Sequence, residues 1–310
     1  MEVPNRSDVE LAARVIAGHV HETPVLVGRT LDTLAGCEVF FKCELLQKSG
    51  AFKARGACNA VMCAPYELIA NGVATHSSGN HGAALAWAAA LREVPAYVVV
   101  PDNASTFKRA AIARYGASII DSGPKLVDRE FALAELVRST GAHIIPPYDD
   151  ARIIAGQGTI ALEMEKQVPR LDALWVPVGG GGLAAGCIAA LSGSSIRVLG
   201  AEPELASDAY ASMRLGTRQP QLPALTQADG LRTSLGVLNF EMFKSCGIEI
   251  CLVSEEEISS AQRELMSILK VLVEPSAAVP WAALRRHGRK GSKRVGIVLT
   301  GGNIDLSPAL

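Results

Sequence analysis

The sequence predicts an α/β protein built on open parallel sheets with helices on both faces, and three features carry that prediction. Short β-branched apolar runs alternate with helical runs along most of the chain, the pattern of parallel strands joined by helical crossovers. Several of those runs end in glycine-rich or polar turns that open a helix, the place where open α/β sheets bind ligands. The third feature is capacity, since 310 residues with 49% apolar content can bury a substantial core as one large domain or two modest ones.

From the N-terminus, "SDVELAARVIAG" sets Glu10 three residues after Ser7, the spacing of a capping box at the start of an amphipathic helix. The segments "CEVFFKCE", "GVATHS", "AYVVVP", "ASIIDSG", "AHIIPP", "LDALWVPV", "IRVLGAE" and "KRVGIVLT" read as buried strands. Between them "HGAALAWAAALRE", "STFKRAAIARYG", "LVDREFALAELVRST" and "QGTIALEMEKQV" read as helices. The proline-containing "LGTRQPQLPALTQADG" reads as a long loop, either a surface excursion or part of a substrate enclosure.

Charge narrows the partners. The 30 basic and 31 acidic residues nearly cancel, and no basic block or aromatic-interleaved basic stripe is present, so neither nucleic acid nor an anionic membrane is expected. The N-terminal stretch carries acids early and lacks the apolar core of a secretory signal, and no apolar run is long enough to span a bilayer. A cytoplasmic location is expected. Cys37, Cys43, Cys58, Cys63, Cys187, Cys246 and Cys251 form no CxxC pair and read mostly as small buried apolar residues in a reducing compartment.

Four stretches carry chemistry. "VPVGGGGLAAG" is a strand, four glycines (Gly179, Gly180, Gly181, Gly182) and a small-residue helix start; glycines there let backbone N–H groups approach an anion such as a phosphate. No Gly-Lys-Ser/Thr follows, which excludes a Walker loop; Glu202, about twenty residues on, leaves a Rossmann-type dinucleotide site open as a rival. "THSSGNHGAALA" gathers Ser77, Ser78, Gly79, Asn80 and His81 at a helix start, suited to a carboxylate or to ordinary capping. "LTGGNID" ends a strand with Thr300, and "QKSGAFKARGACN" places Lys53 between a turn and an apolar helical run. A lysine, a phosphate cradle, a carboxylate cradle and a hydroxyl at a strand end are together what a pyridoxal phosphate (PLP) enzyme requires, with Lys53 forming the Schiff base.

The stretches "QKSGAFKARGACNAV", "SSGNHG", "VPVGGGGLAAG", "GAEPELASDA", "ADGLRTSLG", "EPSAAV" and "LTGGNIDL" also stand in an order that resembles the fold type II PLP enzymes of the serine/threonine dehydratase group. The likeness covers essentially the whole chain and is greatest to the serine racemase and threo-3-hydroxyaspartate dehydratase branch. It implies a tryptophan synthase beta-like fold, with residues 1–65 and 149–310 as a large cofactor-binding domain and 66–148 as a small mobile one. It implies that Lys53 carries the cofactor, Phe52 packs beside its ring and Asn80 bonds the ring hydroxyl. The phosphate falls to Gly179, Gly180, Gly181, Gly182 and Leu183, and the pyridine nitrogen to Thr300, where family members often have serine. Ser77, Ser78, Asn80, His81 and Arg129 would meet substrate, and Ser78 would exchange a proton on the face opposite Lys53. Glu202, Asp208 and the Ala206 carbonyl match a magnesium or calcium site. Asp229, Gly230 and Glu274 lie in motifs that line the cofactor in relatives.

The implied activity is an ammonia-lyase that turns serine, threonine or 3-hydroxyaspartate into a 2-oxo acid and ammonia, with racemisation as an accompanying or main activity. A nicotinamide-dependent oxidoreductase of Rossmann type is the alternative from another class. The family also implies a homodimer, and it leaves room for a nucleotide effector at the dimer interface. With few residues after "LTGGNID", the C-terminal effector domain of biosynthetic threonine dehydratases is not expected.

Overall fold

The computed structural model describes residues 2–220 and 224–306. Its strands are β1 (Val25–Leu26), β2 (Glu38–Cys43), β3 (Val73–His76), β4 (Ala96–Pro101), β5 (Ser118–Ser122), β6 (His143–Ile144), β7 (Ala173–Pro177), β8 (Arg197–Pro203), β9 (Glu249–Val253) and β10 (Arg294–Leu299). They form a six-stranded sheet in the order β1-β2-β10-β7-β8-β9 and a four-stranded sheet in the order β5-β4-β3-β6. Every pairing is parallel except β1 with β2. The expected α/β class, with two open parallel sheets, is the one found.

The helices are α1 (Arg6–Ile16), α2 (Arg29–Ala35), α3 (Lys53–Cys63), α4 (Tyr66–Ile69), α5 (Asn80–Leu91), α6 (Thr106–Ala113), α7 (Leu126–Thr140), α8 (Ala151–Gln167), α9 (Gly182–Ala190), α10 (Asp208–Leu215), α11 (Val237–Cys246), α12 (Glu255–Leu269) and α13 (Pro275–His287). Among the described residues none is long and apolar enough to cross a membrane.

Local chemistry corrects two sequence expectations. The first helix is capped by Asn5 rather than Ser7: the Asn5 side chain accepts from the Ser7 and Asp8 amides, and Asp8 returns a bond to the Asn5 amide. The shorter Asn and Asp pair closes the same reciprocal box two residues earlier. Helix α8 starts at Ala151, six residues before the expected "QGTIALEMEKQV", because Asp150 caps the Arg152 and Ile153 amides. Of the seven cysteines, all free, Cys63 and Cys246 are exposed, Cys37 is intermediate and the rest are buried. Part of the loop expected at "LGTRQPQLPALTQADG", residues 221–223, lies outside the described residues.

Three helices that bear on the site meet at backbone contact. A Cβ on Gly156 of α8 would lie 2.7 Å from Cα of Gly56 in α3, and one on Gly186 of α9 would lie 2.3 Å from the Ile154 carbonyl of α8. Glycine at these crossings is what lets α3, α8 and α9 close on one another. The start of α3 is tied to the six-stranded sheet as well: the Phe52 amide donates to the Thr300 carbonyl at 2.9 Å, and Ala51 bridges to Gly301. Lys53 is thereby held at the carboxyl end of β10.

Beneath that start lies a buried ion cluster. Arg55 donates to both oxygens of Glu44 at 2.8 and 2.7 Å and to Glu163 at 2.6 and 2.9 Å. Lys42 reaches Glu163 at 2.5 Å and the Thr23 carbonyl at 2.7 Å. Apolar layers seal both faces of the larger sheet, including Trp281, which meets Phe41 edge-on at 5.7 Å.

Candidate active site

The glycine turn follows β7 and leads into α9. Gly181 has φ +89°, a left-handed conformation that favours glycine. A Cβ on Gly180 would lie 2.3 Å from the Tyr148 ring, so ring and loop share one space. The Gly180 carbonyl is tied down by the Asn239 carboxamide at 2.6 Å and the Gly236 amide at 3.0 Å. The start of α9 brings amide donors and positive dipole character to the same turn, the chemistry of an anion site. Beside Gly179, 3.0 Å from where its Cβ would stand, lies the Thr233 hydroxyl, buried and without a partner among the described residues. A buried orphan hydroxyl against a glycine cradle fits a phosphate group.

Lys53 opens α3 with its Nζ donating to the Pro147 carbonyl at 2.7 Å. The Phe52 ring centroid is 5.1 Å from that nitrogen and the Tyr148 centroid 6.0 Å. Desolvation pulls the lysine down to about 8 against an opposing pull from Glu274. At pH 7 roughly a tenth of the amine is then neutral, against less than about a thousandth for a solvated lysine. Tyr148 thus touches both the glycine loop and the lysine.

Around the carboxyl end of β10, Thr300 is buried and Gly301 leaves room for the Glu274 carboxyl, which a Cβ would approach to 2.5 Å. Asn80 Nδ2 donates to the two Glu274 oxygens at 3.0 and 3.1 Å, and Asn80 Oδ1 accepts from Asn303 at 2.9 Å. Burial pushes Glu274 up to about 7, opposed by Lys108, the Asn80 hydrogen bond and Lys53, and reinforced by Asp229. In the preceding turn the Ser77 hydroxyl accepts from the Gly79 amide at 3.1 Å, and Ser78 lies between them in sequence.

His81 is buried and contacts the Ile145 carbonyl through Nε2 at 3.1 Å. A carbonyl only accepts, so Nε2 carries the hydrogen and the unpartnered Nδ1 is an acceptor in the neutral ring. Burial, with Lys53 nearby, pushes this histidine down to about 3. His76, at the end of β3, is pushed to about 4 by burial and the Arg129 charge. Arg129, on α7, has a buried Nε without a partner among the described residues and feels the Tyr148 oxygen electrostatically.

Glu202 ends β8, and its carboxylate accepts from the Ala209 and Tyr210 amides at 3.1 and 2.8 Å. Asp208 accepts from the Leu235 amide at 2.8 Å through one oxygen, while the other is buried and unpartnered. Burial raises both carboxyls, Asp208 to about 6, so each holds its proton more readily than a solvated acid. Ala206 precedes them in a short turn and is buried. Among the described residues no group of three or more His, Cys, Asp and Glu side chains could hold a metal, so a cation here would take carbonyl and water oxygens besides the two carboxylates.

The structure therefore gathers Lys53, Phe52, Asn80, Thr300 and the glycine turn around one centre, with Arg129 and His81 at its border. Glu202 and Asp208 lie apart but connect to it, since Leu235 bonds Asp208 and the adjoining Gly236 bonds Gly180. Tyr148, Thr233 and Asn239 escaped the sequence reading. Tyr148 follows "AHIIPP", so the rule that ligands lie beyond strand ends would have found it. The carboxylate of Glu202, occupied by two backbone amides, is not poised for a ribose.

A family model described as pyridoxal-phosphate dependent enzyme matches residues 16–301. The serine racemase of Dictyostelium discoideum is 44% identical over 307 residues, 97% of this chain and 95% of that protein. The beta-hydroxyaspartate dehydratase of Paracoccus denitrificans (strain Pd 1222) is 41% identical over 309 residues, 99% and 98% of the two chains. The solved structure of maize serine racemase superposes with a TM-score of 0.96 at 39% identity, covering 99% of this chain and 96% of that one.

Proposed function

Because the chain belongs to the pyridoxal-phosphate dependent enzymes, we propose that it acts on a β-hydroxy amino acid, serine, threonine or 3-hydroxyaspartate, and releases a 2-oxo acid and ammonia. It is an enzyme of the dehydratase and racemase type, uses PLP and takes an amino acid as substrate. The match to this family displaces the nicotinamide reading. The observation that carries the proposal is Lys53: a half-buried lysine with a depressed pKa, tied to the Thr300 strand end and sharing Tyr148 with the glycine turn.

PLP, when bound, supplies a carbonyl that condenses with amines and a ring that draws off the electrons released at Cα. Gly179, Gly180, Gly181, Gly182 and Leu183 would hold its phosphate, Phe52 would pack beside its ring, Asn80 would serve the ring hydroxyl and Thr300 the pyridine nitrogen. The Ser77 and Ser78 hydroxyls and the backbone amides of Asn80 and His81 at the start of α5 bind the substrate α-carboxylate, while the His81 ring, whose free Nδ1 only accepts, packs beside them. Lys53 Nζ, neutral in part near pH 8, takes the Cα proton. The C–O bond at Cβ then breaks; the oxygen leaves with a proton as water, and water returns at Cα as ammonia departs, so no oxidant is needed. A hydroxyl at Thr300 draws electrons less strongly than a charged partner, which favours prompt loss of the β-hydroxyl.

Racemisation is the second reading, favoured by a hydroxyl residue, Ser78, in the turn that opens α5. Ser78 would return the proton to the other face of Cα. Arg129, with an unpartnered buried Nε beside the site, suits a second carboxylate and favours 3-hydroxyaspartate among the three substrates. The four-stranded sheet lies within residues 66–148, which we take as a mobile unit closing over substrate and excluding water. We further assign magnesium or calcium to Glu202, Asp208 and the Ala206 carbonyl, a homodimer as the assembly, and a nucleotide effector site at the dimer interface.

The test is a panel of L-serine, D-serine, L-threonine and the 3-hydroxyaspartate stereoisomers with the purified holoenzyme, assayed for oxo acid and for the opposite enantiomer. Oxo acid from at least one of them is expected. Turnover of none, with PLP bound, would overturn the lyase assignment.

A further inference from the structure

We propose that Glu274 is a positioning residue of this site: its carboxyl, chelated by the Asn80 carboxamide and seated against Gly301, fixes which end of that amide faces the cofactor ring. The inference rests on the reading above that Asn80 faces the ring hydroxyl.

Glu274 precedes α13, and its own amide donates to the Gly301 carbonyl at 3.1 Å. The carboxyl is thus anchored to the strand end that carries Thr300 and that binds the start of α3 through Phe52. It reaches to the first residue of α5, where Asn80 Nδ2 lies 3.0 and 3.1 Å from its two oxygens. Nearly equal distances let one N–H serve both oxygens, which leaves the second N–H of the amide for an acceptor on the ring. Asn303 donates to Asn80 Oδ1 at 2.9 Å and to the Ser49 carbonyl at 2.8 Å, fixing the amide from its other end.

An ionised carboxyl accepts only, so it admits only the nitrogen end of Asn80. A protonated one also donates, tolerates the oxygen end, and removes that preference. The groups that act on Glu274 come from four directions: Lys108 on α6, Asp229 in the turn before α11, Lys53 on α3 and Asn80 on α5. Lys108 is itself paired with Asp229, so its positive charge is partly spent and burial leaves Glu274 near 7. The Glu274 share of the Asn80 orientation is then present above that pH and lost below it, where Asn303 alone holds the amide. The proton on Glu274 also removes a negative charge that acts on Lys53 from a distance.

The experiment compares holoenzyme, E274Q and E274A by visible cofactor spectra from pH 5.5 to 9, together with the pH profile of kcat/KM and with PLP affinity by titration of apoprotein. In the parent protein the visible cofactor spectrum should change with a midpoint near pH 7. Gln accepts one bond but carries no charge, so E274Q should fold, bind PLP and lose that titration. E274A should bind PLP about tenfold more weakly as the Asn80 donor loses its partner. A spectrum and pH profile in E274Q indistinguishable from the parent would overturn the proposal, and E274Q alone decides the matter if E274A does not fold. No cofactor band in the parent would instead mark the failure of the underlying PLP assignment to this site.

Discussion

Two groups of buried charge share helix α3, two residues apart, and they are built to opposite rules. Around Arg55 each charge meets an opposite one at hydrogen-bond distance, with Glu44, Glu163 and Lys42 closing the cluster. Burial pushes Glu44 up, yet the Arg55 charge and hydrogen bonds outweigh it and leave its carboxyl below the usual range. Around Lys53 no carboxylate among the described residues comes within ion-pair distance; the amine has a carbonyl, two rings and a distant Glu274. Paired charges hold a shape, whereas under-compensated ones sit close to the pH at which they exchange protons.

The largest expected effect separates the two directly. Lys53→Ala should lower kcat/KM by about 10⁴-fold or more, because both the covalent anchor and the Cα base are lost. Its denaturation midpoint should not fall, since a poorly compensated buried amine is removed. Arg55→Ala should do the reverse. Leaving Glu44 buried without its partner costs about 3–5 kcal/mol of stability, read as a lower urea midpoint, while the fraction that remains folded keeps the cofactor band at its parent wavelength.

The pH dependence of apoprotein stability sharpens the contrast. Lys53 falls from 10.5 unfolded to about 8 folded, so the unfolded chain binds more protons between those values and stability rises with pH across that window. Glu44 is depressed when folded, so its contribution is present above its unfolded value of 4.5 and is lost as pH falls through the folded one. Urea midpoints across pH should lose the alkaline rise in Lys53→Met and soften the acid fall in Glu44→Gln. Interchanged effects would break the comparison.

Smaller effects concern the border of the site. Asp208→Ala should reduce thermal stability and activity together, since Asp208 accepts from the Leu235 amide beside the Gly236 contact with the glycine turn, and chelation should do the same through the proposed cation. Unchanged melting and rate after chelation would remove the metal. Ser78→Ala should leave elimination nearly unchanged and lower racemisation by about 10²-fold, since the hydroxyl that returns the proton is lost, seen in the enantiomer ratio of recovered serine. Arg129→Lys should shift the ratio of kcat/KM for 3-hydroxyaspartate over serine about tenfold toward serine, as the planar fork is lost.

The fold and the centre of the site were legible where chemistry forces a residue type at a local position. Four glycines between a strand and a helix announce a close backbone approach, and a lysine opening an apolar helix announces a buried amine. The Arg55 cluster was not legible, because Lys42, Glu44 and Glu163 come from β2, the turn after it and α8, and no local pattern joins them. Strand β9 and helices α11 to α13 also escaped notice, although Ser254 and Glu257 form a capping box that opens α12. Glu274 was visible as a motif residue, but its grip on Asn80 spans 194 residues and needs the folded chain. Contacts that cross the two sheets are the ones sequence cannot rank.

The central claim is that the under-compensated lysine of α3 carries the cofactor. Borohydride reduction of the purified holoenzyme, followed by digestion and mass spectrometry, tests it most directly. A pyridoxyl-phosphate adduct confined to the peptide bearing Lys53 is the predicted result. An adduct on another lysine, or none in a protein that retains bound PLP, would contradict the account.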